Sequence, residues 1–398
     1  MSEMTVISPK PFLQAVKIAA KIALMNKITP DRIVLRLTYN NAKAVVEATS
    51  VEQSCRISVV SGAVDNSEPE TILIQPQILQ DILTKCSGSD IYIERKDDTL
   101  IIEDSDRNRW NILLPSQNLE FYLNIETNPE HYYMLSGVAL RDMLPLALAS
   151  TSASDTLMGV TIQAANDYVA IVGTDGNRMA VCRQNYEEVI ENPSQPEYNL
   201  DALISVDFCR LILSVINNSS IMKECFETVP VTQTEKAIQF EFDTDELEIV
   251  LSSQPFCGKK IPYENILESV KLGCSVTVKP DSLLQALTAV SAIQDKKIPV
   301  VQINMNPNNP LTLQSYSREL GSADSSCEID EYKGDGVTRT SSYITSYLTQ
   351  FLRVLDKDAP ITLKMTPYKD YPPKLSIITT SGCYYVVMPT VNGQIATS

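Results

Sequence analysis

Only one histidine, His131, stands among the 398 residues, and only thirteen glycines. One histidine cannot make a multi-histidine metal site, nor can a triad be built from it alone, and in "NPEHYY" we read it as part of a linker. General acid–base work by carboxylates remains possible in principle. Glycine is too scarce for many phosphate-cradling loops, and G-x-x-x-x-G-K-[ST], H-E-x-x-H and G-x-G-x-x-G are all missing. No C-x-x-C occurs among nine scattered cysteines, so neither a zinc site nor a disulfide framework is encoded. No apolar run approaches the length that crosses a bilayer. The opening "MSEMTVISPKPF" lacks the charged-then-apolar pattern of an export signal. The expectation is a cytoplasmic protein with buried thiols, no cofactor, no metal and no membrane partner.

What is present is acid and apolar residues. Asp and Glu number 49 against 33 Lys and Arg, giving a net charge of −16, and hydrophobic residues make up 44%. That composition is globular, and the length allows two to four domains. Net charge governs solubility and long-range approach, whereas local distribution decides binding. The informative places are those where acid is missing.

Six segments read as amphipathic helices, starting at residues 8, 75, 136, 205, 279 and 340, 61–74 residues apart. They are "SPKPFLQAVKIAAKIA", "QPQILQDILTKC", "SGVALRDMLPLALAS", "SVDFCRLILSVIN", "KPDSLLQALTAVSAI" and "TSSYITSYLTQFLRVL". Several open with Ser, Thr or an early Pro, which are helix-start signals. Between them lie short β-rich runs, many of them alternating as half-buried antiparallel strands do: "RIVLRLTY", "KAVVEAT", "DIYIER", "TLIIED", "GVTIQAA", "YVAIVGT", "AIQFEFD", "ELEIVLSS", "VVQINMN", "LSIITT" and "YYVVMP". Two helix-plus-strands units make a domain of about 130 residues. Three similar α+β domains follow, over 1–127, 128–268 and 269–398, with joints near "ETNPEH" and "PYENILESVKL".

The helices are poor in acid. In the first, Lys10, Gln14, Lys17 and Lys21 recur at i, i+4, i+7 and i+11 on one face, with Phe12, Leu13, Val16, Ala19, Ala20 and Ala23 covering much of the opposite side. The last repeats this with Ser346, Gln350, Arg353 and Lys357, and the fourth carries Arg210, Ser214 and Asn217. The first and last segments contain no acid, and the others one each: Asp81, Asp142, Asp207 and Asp281. Such faces suit a phosphate backbone without reading bases. An ordinary solvated face is the other reading.

The stretch "GTDGNRMA", 173–180, lies between "YVAIV" and "AVC". Asp-Gly between apolar strands is expected to be a hairpin turn of type I′, with both central residues at positive φ. The pattern leaves the arginine and methionine that follow without a role.

"TDGNRMAV" resembles the "TDGHRLA" motif of the bacterial sliding clamp, the β subunit of the replicative DNA polymerase holoenzyme. "YYVVMPT" resembles that family's terminal strand, "PFCGKKIP" has the spacing of its "PDYRRVLP" segment, and "LLPSQNLEF" is similar to its first-domain "LPAxDF". The resemblance runs from Met4 to Thr390. It implies three clamp-like domains per protomer, two helices on antiparallel sheets in each, and two protomers head to tail in a ring around double-stranded DNA. It implies no chemistry. DNA polymerase and clamp-loader subunits would dock through short linear peptides. The implied peptide groove comprises Leu157, Thr174, Gly176, Arg178, Met179, Pro255, Val386, Met388 and Pro389, with Arg178 orienting the peptide or walling the pocket. The DNA-facing set is Lys10, Lys17, Lys21, Lys27, Arg210 and Arg353. Departures from the family are Asn177 in place of histidine, Lys260 at a normally apolar position, and the tail "TVNGQIATS" after Pro389. A β-rich repeat scaffold that binds proteins or glycans without touching DNA is the competing reading. A carboxylate-dependent hydrolase, a third, has no supporting motif.

Overall fold

The computed structural model describes residues 5–25, 33–38, 43–62, 70–114, 133–151, 159–165, 168–185, 200–218, 228–234, 236–256, 260, 262–271, 273–307, 310–367 and 373–390. One order of elements recurs six times: strand, helix, three strands. The first module is β1 (Thr5–Ile7), α1 (Pro9–Met25), β2 (Ile33–Thr38), β3 (Lys43–Thr49) and β4 (Gln53–Gly62). The second is β5 (Glu70–Ile74), α2 (Pro76–Lys85), β6 (Ile91–Lys96), β7 (Thr99–Asp104) and β8 (Arg109–Leu113). The third is β9 (Tyr133–Leu135), α3 (Gly137–Leu148), β10 (Val160–Ala164), β11 (Tyr168–Thr174) and β12 (Arg178–Asn185). The fourth is β13 (Leu200–Ile204), α4 (Val206–Ile216), β14 (Val229–Gln233), β15 (Ile238–Asp243) and β16 (Leu247–Ser253). After a short helix α5 (Tyr263–Ser269), the fifth is β17 (Cys274–Val278), α6 (Pro280–Ser291), β18 (Val300–Met305), β19 (Leu311–Ser317) and β20 (Gly321–Cys327). After a short strand β21 (Glu331–Lys333), the sixth is β22 (Arg339–Ile344), α7 (Thr345–Leu352), β23 (Ile361–Met365), β24 (Leu375–Thr379) and β25 (Cys383–Val387).

The described chain divides into two compact units. The first takes the described residues up to 138 and from 210 to 255; the second takes those from 139 to 209 and from 256 onward. In the first unit twelve strands form one antiparallel sheet, ordered β8-β7-β6-β1-β4-β16-β15-β14-β9, with β3, β2 and β5 continuing from β4. Strand β4 holds the sheet together because it is long: its end pairs with β1, while its body pairs with β3 on one side and β16 on the other. Its side chains alternate, burying Cys55, Ile57 and Val59, and α1 packs on β3 and β4. Phe12, Val16, Ala19, Ala20 and Ala23 of α1 are buried, whereas Lys10, Lys17 and Lys21 are exposed. The amphipathic reading of that helix holds.

The second unit has a nine-stranded sheet, β13-β10-β11-β12-β25-β24-β23-β17-β21, and a four-stranded one, β20-β19-β18-β22. Helix α6 packs on β19, β20 and α7, and α7 also packs on β22 and β25. Phe351 of α7 stacks on Tyr385 of β25, ring centroids 4.0 Å apart.

Five helices start one residue after the segment starts read from sequence. The sixth differs: residues 339–344 pair with β18 as a strand, so α7 begins only at Thr345. Thr340 and Ser341 look like a helix start, but the run through Tyr343 and Ile344 suits a strand, and the sheet captures it. The segment "PYENILESVKL", read as a joint, contains α5, with Tyr263 and Val270 buried. No described helix is long and apolar enough to cross a membrane.

Candidate functional site

The turn after β11 explains its own residues. A Cβ at Gly173 would stand 2.0 Å from Ala147 O, so glycine lets β11 meet the end of α3. Thr174 Oγ1 accepts from Gly176 N at 3.1 Å and donates to Arg178 O at 2.8 Å. Asp175 Oδ1 accepts from the backbone N–H groups of Asn177 and Arg178, at 3.0 and 3.1 Å. These are the local side-chain bonds that Thr and Asp offer a turn. The loop proper is Gly176–Asn177, closed by Asp175 N donating to Arg178 O at 3.3 Å. Gly176 sits at φ +85° and Asn177 does not share the positive φ. The turn therefore lacks the second positive φ of type I′, and its glycine stands at the first of the two loop positions. Asn177 O accepts from Met388 N at 2.9 Å, tying the turn to the segment after β25.

Arg178 is only 5% exposed. Its Nε donates to Asp175 Oδ2 at 2.8 Å, Nη1 to Gln350 Oε1 at 2.7 Å, and Nη2 to Thr151 O at 3.1 Å. The guanidinium carbon lies 4.4 Å from the centroid of the Tyr347 ring. Burying a charge is tolerable when it is paired and its hydrogen bonds are made, and a planar fork of donors can meet several acceptors at once. The arginine pins the hairpin to the end of α3 and to α7. Burial, reinforced by the Asp175 charge and opposed by Arg178, raises the Tyr347 phenol, so a neutral ring lies under the cation.

Beside this pin lies an apolar cluster of Val172, Met179, Val181, Val386, Tyr263 and Val270, with Ile266 and Leu267 packed on it. Met179 and Val386 are 3% and 2% exposed. Helix α5 supplies the cover, and Tyr263 is anchored by its hydroxyl donating to Gln163 Oε1 at 2.8 Å. Burial pushes the Tyr263 phenol up, so it donates as a neutral group.

The second unit thus brings together Thr174, Gly176, Arg178, Met179 and Val386, with Met388 tied to the turn; Met388 and Pro389 are half-buried and Gly176 is exposed. Pro255 is half-buried and ends the first unit. Leu157, Lys27, His131 and the tail after Thr390 lie outside the described residues. Lys260 is exposed and pairs with Asp201 at 2.6 Å. Arg210 is exposed on α4. Arg353 is exposed but follows the last residue of α7, so the face read through Ser346, Gln350, Arg353 and Lys357 is not carried by one helix. Gln350, read as part of that face, instead accepts from Arg178. Partial burial pulls Lys21 below the ordinary lysine value.

Sequence reasoning missed Thr151, Tyr347, Gln350 and Tyr263. The nearest available signal was the i, i+3 spacing of Tyr347 and Gln350, which puts both on one side of α7.

A second feature lies in the first unit. Strand β8 is an edge of the twelve-stranded sheet. Its Leu113 is 82% exposed, beside an apolar hollow of about 300 Å³ lined by Leu73, Ile74, Gln75, Ile78, Ile112, Leu113 and Leu114.

No protein-family model matches the sequence, and no curated protein matches it in sequence. Solved structures do match in fold. A DNA polymerase sliding clamp from Pseudomonas aeruginosa superposes with a TM-score of 0.80 at 17% identity, over 98% of this chain and 99% of that one. One from Bacillus subtilis gives 0.80 at 16% identity, over 98% and 99%. The DNA polymerase III β subunit of Thermotoga maritima gives 0.79 at 18%, over 97% and 99%. The chain has the sliding-clamp fold, as the resemblance implied.

Proposed function

We propose that this protein is a DNA sliding clamp: a ring that encircles duplex DNA and tethers a polymerase for processive synthesis, with no chemistry of its own. The observation that carries the reading is the six-fold strand–helix–three-strand repeat, matched over nearly the whole chain to clamps, with helices poor in acid inside an acidic protein. On this reading the modules are taken in pairs as three domains, 1–127, 128–268 and 269–398. A closed ring stays on DNA because it surrounds it, so weak, sequence-independent contacts suffice and sliding stays cheap. Lys10, Lys17, Lys21, Lys27, Arg210 and Arg353 supply those contacts. Polymerase and clamp-loader peptides dock in a groove where the 174–179 turn and the Val386–Pro389 segment meet, and Arg178 supports it from behind.

The ring is a homodimer. An edge strand with an exposed leucine beside an apolar hollow is a template for pairing with another chain, and among the described residues β20 is one edge of the four-stranded sheet. The protein works in the cytoplasm, where the DNA is.

Two measurements test this. Light scattering should give twice the 44.1 kDa of one chain. Protein threaded onto linear duplex, whose ends are then blocked by streptavidin, should survive a high-salt wash and leave when an internal restriction cut reopens an end. A monomer that washes off blocked and open DNA alike would remove the ring, and favour the scaffold reading.

A further inference from the structure

Cys182 of β12 and Cys383 of β25 face each other across an antiparallel pair. Their Sγ atoms are 2.6 Å apart, and the residues are 2% and 1% exposed. The backbone defines the kind of pair. Cys383 N donates to Thr379 Oγ1 at 3.0 Å, on the β24 side, so its N–H points away from β12. Cys182 and Cys383 therefore form a non-hydrogen-bonded pair. Such pairs bring Cα atoms to about 4.5 Å, within the roughly 4.4–6.8 Å that a disulfide spans. Other described thiols have different surroundings: Cys274 Sγ contacts Met305 Sδ at 3.7 Å, and Cys327 Sγ donates to Glu328 O at 3.5 Å.

We propose that Cys182 and Cys383 are a redox-modification site, where a two-electron oxidant of the peroxide class closes an intrachain disulfide between β12 and β25. One thiolate attacks a peroxide oxygen and becomes a sulfenic acid; the second sulfur then displaces that oxygen as water. In balance, two thiols and one hydrogen peroxide give one disulfide and two waters. The new bond joins the strand that opens with Arg178 and Met179 to the strand that carries Val386. Burial, helped by the neighbouring Cys383 thiol, pushes the Cys182 thiol well up, so thiolate is scarce and closure is slow while the strands stay paired.

The test treats the folded full-length protein with hydrogen peroxide, alkylates it under denaturing conditions, and maps it by mass spectrometry without reduction. The expected result is one peptide pair joined through Cys182 and Cys383, released by dithiothreitol, with two alkylatable thiols lost. Because the bond spans 201 residues, the oxidised protein should melt higher by about 10–20 °C. That gain should be missing in Cys383→Ala and in Cys182→Ala, either of which suffices if the other fails to fold. Both thiols remaining fully alkylatable, or cross-links joining only other cysteines, would overturn the proposal.

Discussion

Replacing Arg178 with alanine removes a cation whose side chain, like that of its partner Asp175, is 4% exposed. Asp175 would keep a buried carboxylate without its counter-charge, and Gln350 Oε1 and Thr151 O would lose donors. Deleting one partner of a buried ion pair costs about 3–5 kcal/mol. In a unit of about 200 residues, each kcal/mol lowers the melting midpoint by about 2–4 °C, so a fall of about 6–20 °C is expected. Arg178→Lys keeps the charge but not the fork, since one ammonium cannot serve three acceptors set around a plane; about half the loss is expected. Scanning calorimetry of Arg178→Ala, Asp175→Ala and the double variant supplies the cycle, in which the double loss should fall well short of the sum. Each protein would also be titrated with a clamp-binding peptide. A midpoint within about 2 °C of wild type for Arg178→Ala, together with lost peptide affinity, would refute the reasoning: the arginine would then be a ligand contact and not a pin.

Gly173→Ala forces a Cβ against Ala147 O and should cost about 2–4 kcal/mol in urea denaturation. Gly62→Ala, whose new atom would meet among the described residues only Val6 Cβ at 3.7 Å, should stay within about 1 kcal/mol. Asp104 is buried, which by itself raises its carboxyl, but hydrogen bonds from Asn108 and Ser87 outweigh this and hold it well below the usual range. A depressed carboxyl stabilises above its unfolded value, about pH 3.9, and the contribution is lost as pH falls towards the folded value. The midpoint gap between wild type and Asp104→Asn should therefore be full at pH 7 and shrink with acid; a gap constant from pH 7 to about pH 2 contradicts this. Lys17→Ala and Lys21→Ala should each flatten the salt dependence of duplex binding by about one phosphate contact, with no sequence preference appearing. An unchanged slope in fluorescence titrations would remove these lysines from the DNA surface.

Much of the fold was legible because hydrophobic period encodes it. Each of the eleven β-rich runs falls on a strand, and five helix starts were placed to one residue, since Pro or Ser at the strand–helix joint marks them. The first residues of the sixth helix were misread because Ser and Thr serve both as helix starts and as polar positions of a strand. Helix α5 escaped because seven residues give too little periodicity to stand out from a linker. In the candidate site the turn residues were visible, yet the cage around Arg178 was not. Thr151 and Gln350 lie 27 and 172 residues away from it in sequence. Thr151 contributes only a carbonyl, which no side-chain pattern reports.

Between strand and helix in five of the six modules stands a single residue: Ser8, Gln75, Ser136, Ser205 or Lys279. A joint that short works as a rigid coupling. One extra residue inserted after Ser8 would advance α1 by about 100° about its own axis, swinging Phe12 and Val16 into water and Lys10, Lys17 and Lys21 towards the sheet. Length at these five couplings should therefore resist change far more than side-chain identity does.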